Sequence, residues 1–158
     1  MTFKEAVAQT PNLGTGWQPG LQALRAEDKP HVQPEEPRRL RGSADIDTAL
    51  RLREPNANRW DFAIGYQHTN CNDEFIYWVE THTGSDDQIK VVLKKLVWLK
   101  NWLRGDGRHL ARFKGDITWV SSGHTLFTKG SSQVKTLAQQ GLIYSGKILR
   151  IPNERTKP

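Results

Sequence analysis

A single cysteine, Cys71, stands in 158 residues. That excludes an internal disulfide and a cysteine-rich zinc site. No apolar run approaches membrane-spanning length, and no hydrophobic leader opens the chain. The expectation is a soluble, cytoplasmic protein without a membrane partner. His68, His82, His109 and His124 lack the i, i+4 spacing of a helical zinc site, and His31 sits in a proline-rich stretch. Gly14-Thr15-Gly16 lacks the Gly-Lys-Ser/Thr that completes a phosphate loop. No serine nucleophile elbow and no internal repeat is found.

What is present in quantity is aromatic and basic. Six Trp, five Phe and three Tyr supply bulky core material. The net charge is +6. Residues 1–58 carry eight basic and eight acidic side chains, so the excess lies in 59–158, with fifteen against nine. Between Lys90 and Lys114 there are eight basic residues and one acid, Asp106. A basic stripe of this kind is the footprint of a polyanion binder, and nucleic acid is the expected partner.

The chain divides by composition into three parts. Residues 1–42 read as an N-terminal extension. They hold short helices at Phe3–Gln9 and Pro19–Ala26, then a charged loop with Pro30, Pro34 and Pro37. Residues 43–152 read as a single α/β core. Residues 153–158 form a polar tail.

Within the core, Ser43 is placed to cap a helix through Arg53, with Asp45 and Asp47 in its first turn. The helix dipole accounts for both acids; alternatively one of them extends the acidic face described next. Arg59–Tyr66 and Glu74–His82 alternate with a period of two and read as a hairpin. Merging the bulkier faces sets Tyr66 near Phe75, Ile64 near Tyr77 and Phe62 near Val79. Asp61 then opposes Glu80 on one face, with His82 a pleat further along. Two carboxylates that close repel unless a proton or a cation is shared between them. A cation is the leading reading.

A helix follows from Asp87 to Arg104. Ile89, Leu93, Leu96, Leu99 and Leu103 form one apolar stripe, and Val91, Trp98 and Trp102 a second. The second stripe is covered by the core, by a second copy in a homodimer, by a protein partner or by stacked nucleobases. Asp116–Ser121 reads as a buried strand, Val134–Ala138 as a helix, and Ile143–Ile151 as the last strand. The fold expected is α/β, a mixed central sheet of about four strands flanked by helices.

Asp61, then Glu80 with His82 two residues on, in adjacent strands before a long helix and another strand, resembles the PD-(D/E)xK nuclease superfamily. The resemblance covers residues 43–122. It implies a restriction-endonuclease-like core of a helix, three strands, a helix and a strand, and metal-dependent hydrolysis of phosphodiester bonds. It makes Asp61 and Glu80 the family's two acids. His82 stands where the family has lysine, and Trp60 where it has proline. Lys90 or Lys94 are the candidates for a relocated lysine. Binding-only members of the superfamily imply the alternative, an inactive domain that holds nucleic acid or a protein through its basic, Trp-rich helix.

The residues give that chemistry a basis of their own. Mg²⁺, or Mn²⁺, takes oxygen ligands, here Asp61, Glu80 and the carbonyl of Thr81. His82 orients or deprotonates a water. Lys90, Lys94, Lys95, Arg104 and Arg108 contact backbone phosphates.

Overall fold

The computed structural model describes residues 1–123, 127–128 and 130–156. His124 and the end of the polar tail lie outside them. The elements run α1 (Phe3–Gln9), β1 (Trp17–Gln18), β2 (Val32–Pro34), β3 (Leu40–Asp45), α2 (Ile46–Leu50), β4 (Phe62–Tyr66), β5 (Phe75–Thr83), α3 (Asp86–Arg104), β6 (Gly115–Ser122), α4 (Ser132–Gln139), β7 (Ile143–Gly146) and β8 (Leu149–Ile151). The architecture is α/β. The central sheet has six strands rather than four, in the order β1-β3-β4-β5-β6-β7, and β2 pairs with β8 in a small second sheet.

β3, β4 and β5 form an antiparallel meander, and β5, β6 and β7 are parallel to one another. The switch follows from the connections. The link from β4 to β5 is short enough for a hairpin, whereas a parallel return needs a crossover, which α3 supplies. The register of β4 on β5 is the one the alternation predicts: Phe62 opposite Val79, Ile64 opposite Tyr77, Tyr66 opposite Phe75. A slip by one residue would carry the aromatics to the wrong side.

Two apolar clusters sandwich the sheet. On one face Phe62, Ile64, Tyr66, Phe75, Tyr77 and Val79 pack with Leu149 and Ile151. On the other, Ala63, Ile76, Trp78 and Trp119 meet α1, α2, α3 and Leu137 of α4. Trp60, which a period of two continued backward would set on the side of Phe62, packs into this second cluster because it precedes the regular strand.

Several expectations are corrected. Residues 1–42 reach deep into the core, where Phe3, Ala6 and Val7 are fully buried. A Cβ at Gly65 would stand 2.7 Å from the Phe3 ring, so glycine is what lets α1 lie on β4. Pro19–Ala26 forms successive turns instead of a helix, with Gln22 N donating to Pro19 O and Leu24 N to Leu21 O. Ser43 lies inside β3, and α2 starts later, capped by Asp45, whose carboxylate accepts from Thr48 N at 2.9 Å. The single last strand is two strands in two sheets, separated at Gly146, whose φ of 74° suits glycine.

Candidate active site

Asp61 lies one residue ahead of β4, and Glu80 near the carboxyl end of β5. Each is held by the other's strand. The Asp61 backbone N–H donates to Glu80 Oε1 at 3.2 Å. Asp61 Oδ2 accepts from the Thr81 backbone N–H at 3.1 Å and from the Thr81 hydroxyl at 3.2 Å. Both acids are buried, Glu80 completely and Asp61 to 4 % exposure.

Two buried carboxylates need compensation, because an unpaired ion in the interior costs several kcal/mol. Lys95 provides it from the third turn of α3. Its Nζ lies 2.6 Å from Glu80 Oε2 and 3.9 Å from Asp61 Oδ1. Lys95 was expected to face phosphates. It points into the fold because its position on α3 faces the sheet. Burial works against its charge, but Glu80 and Asp61 outweigh that and raise its pKa. Burial first, then the Asp61 charge, pushes the Glu80 pKa well above the carboxylate range, against the pull of Lys95.

Of the residues expected at the site, Asp61, Glu80, Thr81 and His82 are brought together. The Thr81 N–H turns toward Asp61, and in an extended strand the carbonyl of the same residue leaves on that same edge. His82 is half-buried on the Glu80 side of β5. Burial and then the charge of Lys95 lower its pKa, so the ring is neutral near pH 7. Its Nδ1 accepts from the Thr83 N–H at 3.1 Å. The proton of the neutral ring therefore sits on Nε2, which can only donate. Orienting a water, one of its two expected roles, fits this tautomer.

Other expectations fall elsewhere. Asp47 is engaged by Arg59, Nε to Oδ1 at 3.0 Å, and Asp45 by the α2 cap, so neither joins the acidic pair. Trp102 is buried at 6 % exposure. Trp98 stacks on it with ring centroids 5.7 Å apart and donates from Nε1 to Glu54 at 3.2 Å. Trp102 is thus covered by the fold itself and Trp98 in part, through the segment after α2, while Val91 stays partly exposed. Lys90, Lys94, Arg104 and Arg108 are exposed.

Sequence reasoning missed Arg25. It comes from the turns after β1 and reaches across to Asp61 Oδ2 at 3.6 Å. No local pattern marks it, because its partners stand far off in the chain.

Asp61 and Glu80 are the side chains here that could hold a hard cation. Asp61 Oδ1 and Glu80 Oε2 already face one shared cation, the Lys95 ammonium. Among the described residues no group of three or more His, Cys, Asp or Glu side chains is placed to hold a metal ion. The position also obeys the rule that open sheets bind ligands beyond the carboxyl ends of their parallel strands. A cavity of about 590 Å³ lies at the opposite end, lined by Phe75, Arg112, Phe113, Lys114 and Arg155 among others, away from the acids.

No family model, no curated protein and no solved structure matches the chain. Among the described residues no helix is long and apolar enough to cross a membrane.

Proposed function

We propose that the chain is a metal-dependent nuclease-like domain that hydrolyses phosphodiester bonds in nucleic acid. The observation that carries this reading is the convergence of Asp61, Glu80 and Lys95 at the carboxyl end of β5. The PD-(D/E)xK resemblance asks for two acids and a lysine, and His82 occupies the lysine's place in sequence. Lys95, fifteen residues after Glu80, supplies the ammonium from the next helix. The order β4, β5, α3, β6 follows the later part of the pattern that the resemblance implies, while α2 stands between β3 and β4 instead of ahead of three strands.

In this reading Asp61, Glu80 and the Thr81 carbonyl would hold Mg²⁺ or Mn²⁺. A bound ion of this kind polarises a phosphoryl oxygen and makes water a nucleophile near neutral pH. The protein's own groups do the rest. Lys95 is held against Glu80 as a fixed positive charge beside the reacting phosphate. His82 Nε2–H donates a hydrogen bond that orients the incoming water. Lys90 and Lys94, free on the solvent side of α3, hold flanking phosphates by charge, with salt-dependent affinity and little base preference. The binding-only alternative uses the same lysines with the exposed part of Trp98, Trp102 being buried.

Calorimetric titration with Mn²⁺, beside incubation with plasmid DNA and with RNA, separates the two. The nuclease reading expects uptake and strand cleavage by the wild-type protein, both lost in Asp61→Ala and Glu80→Ala. A wild-type protein that takes up no Mn²⁺ and leaves every substrate intact ends it.

A further inference from the structure

Arg25 occupies a position that an ion pair alone does not explain. Its guanidinium is held along one edge by Asp28, Nε to Oδ2 at 2.8 Å. Its Nη2 lies 3.3 Å from the Thr81 hydroxyl and 3.6 Å from Asp61 Oδ2. The group rests over the Phe62 ring, 5.4 Å from the centroid. The Asp28 side chain is 7 % exposed, so a buried acid is committed to fixing this one guanidinium. The Arg25 side chain is itself 48 % exposed, against 19 % for Lys95. Of the two cations touching Asp61, Arg25 is the one that faces solvent.

Glu27 stands at the same edge, its Oε1 3.8 Å from Arg25 Nε on a side chain 73 % exposed. The guanidinium is the side chain best shaped for phosphate, because its planar fork offers paired donors.

We propose that Arg25 is the residue that grips the scissile phosphodiester, donating to a non-bridging oxygen, and that Asp28 is the positioning residue that aims it. This rests on the nuclease reading. It adds that the substrate approaches from the solvent-exposed side of Arg25. Arg25 keeps Asp61 company in the free protein and turns its donors to the phosphate once Asp61 is engaged by a metal ion.

The test uses the full chain with Arg25→Gln, Arg25→Lys and Asp28→Asn. Three quantities are read: Mn²⁺ affinity by calorimetry, affinity for a short fluorescein-labelled DNA duplex and its RNA counterpart by anisotropy with Ca²⁺ present, and the cleavage rate. Arg25→Gln is expected to keep its Mn²⁺ uptake. It should lose about ten- to a hundredfold in affinity and rate, the worth of a hydrogen bond to a charged group. Its salt slope should flatten by about one phosphate contact. Arg25→Lys should recover the salt slope but only part of the rate, and Asp28→Asn should show a smaller loss in the same direction. Whichever of DNA and RNA shows the Arg25 effect is the substrate class. Arg25→Gln or Arg25→Lys with wild-type affinity and rate overturns the assignment to Arg25 alone. A wild-type protein with neither Mn²⁺ uptake nor oligonucleotide affinity overturns the nuclease reading and this inference together.

Discussion

The β4–β5 hairpin carries a buried polar cluster at each end, and the two are built on opposite principles. At the end where the chain turns from β4 into β5, His68 Nε2 meets the Tyr77 hydroxyl at 2.9 Å, packed among Tyr66 and Phe75. Burial lowers the His68 pKa and, helped by the charge of Asp116, raises that of the Tyr77 phenol. Both groups therefore stay neutral. At the other end Asp61, Glu80, Lys95 and Arg25 form a network of formal charges around the strand ends. A neutral hydrogen bond is an inexpensive way to bury polar atoms. A buried ion network is costly, and apolar residues of the same volume are often as stable or more so. The neutral cluster is accounted for by stability alone. The charged one calls for a task, and perturbed ionisable groups gathered in one place are where chemistry is sought.

The sharpest way to break this contrast is metal uptake. Asp61→Asn and Glu80→Gln should each abolish Mn²⁺ binding in calorimetry, while His68→Phe leaves it at the wild-type value. Equal binding in all three would place the ion elsewhere.

Next in size is the response to removing a charge. Lys95→Met strips the buried acids of their nearest cation and should cost about 3 kcal/mol in urea unfolding near pH 8, the low end for a broken buried pair. The loss should shrink toward pH 5, because Glu80 can take up a proton, and Lys95→Met with Glu80→Met should regain most of it. A loss in Lys95→Met that ignores pH would show that packing, and not charge, is what Lys95 supplies.

The neutral end predicts a smaller number. His68→Phe removes one hydrogen bond from the Tyr77 hydroxyl and keeps the ring packing, at a cost of about 1 kcal/mol. Unfolding of that variant should not differ between low and high salt beyond the wild-type difference.

The finest distinction is in the pH profile. Glu80 has a raised folded pKa, so it binds its proton more tightly folded than unfolded. Its share of stability is lost as pH climbs from the ordinary carboxylate value toward its own. Mn²⁺ competes with that proton, and Mn²⁺ affinity should rise over the same interval. His68 and His82 have lowered folded pKa values, so the unfolded chain protonates first and stability falls as pH drops below about 6.5. Glu80→Gln should flatten the first limb, and His68→Phe part of the second, in thermal unfolding followed across pH.

The hairpin itself was legible in the residue order. A period of two is a local property, and Phe62, Ile64, Tyr66 against Phe75, Tyr77, Val79 leaves one register that buries them all. Asp61 opposite Glu80 follows from that register, and so does the repulsion that demands a cation. The length of α3 was legible too, from its periodicity and from Gly105 at its end. The identity of the cation was not. Lys90, Lys94 and Lys95 are alike in sequence, and only the seating of α3 on the sheet decides which of them turns inward. The two tryptophans were left open for the same reason: an apolar stripe shows that something covers it, but not what does. The N-terminal residues misled most, because proline and charge near residues 28–41 conceal Phe3, Ala6 and Val7 in the core and Arg25 at the site.

Residue order alone determined that two acids stand side by side at the end of a two-stranded ribbon, since alternation acts between near neighbours. Only the tertiary structure decided that Lys95 and Arg25 answer those acids. Those contacts join segments remote in the chain, and their positions are set by how a helix and a run of turns pack on the sheet.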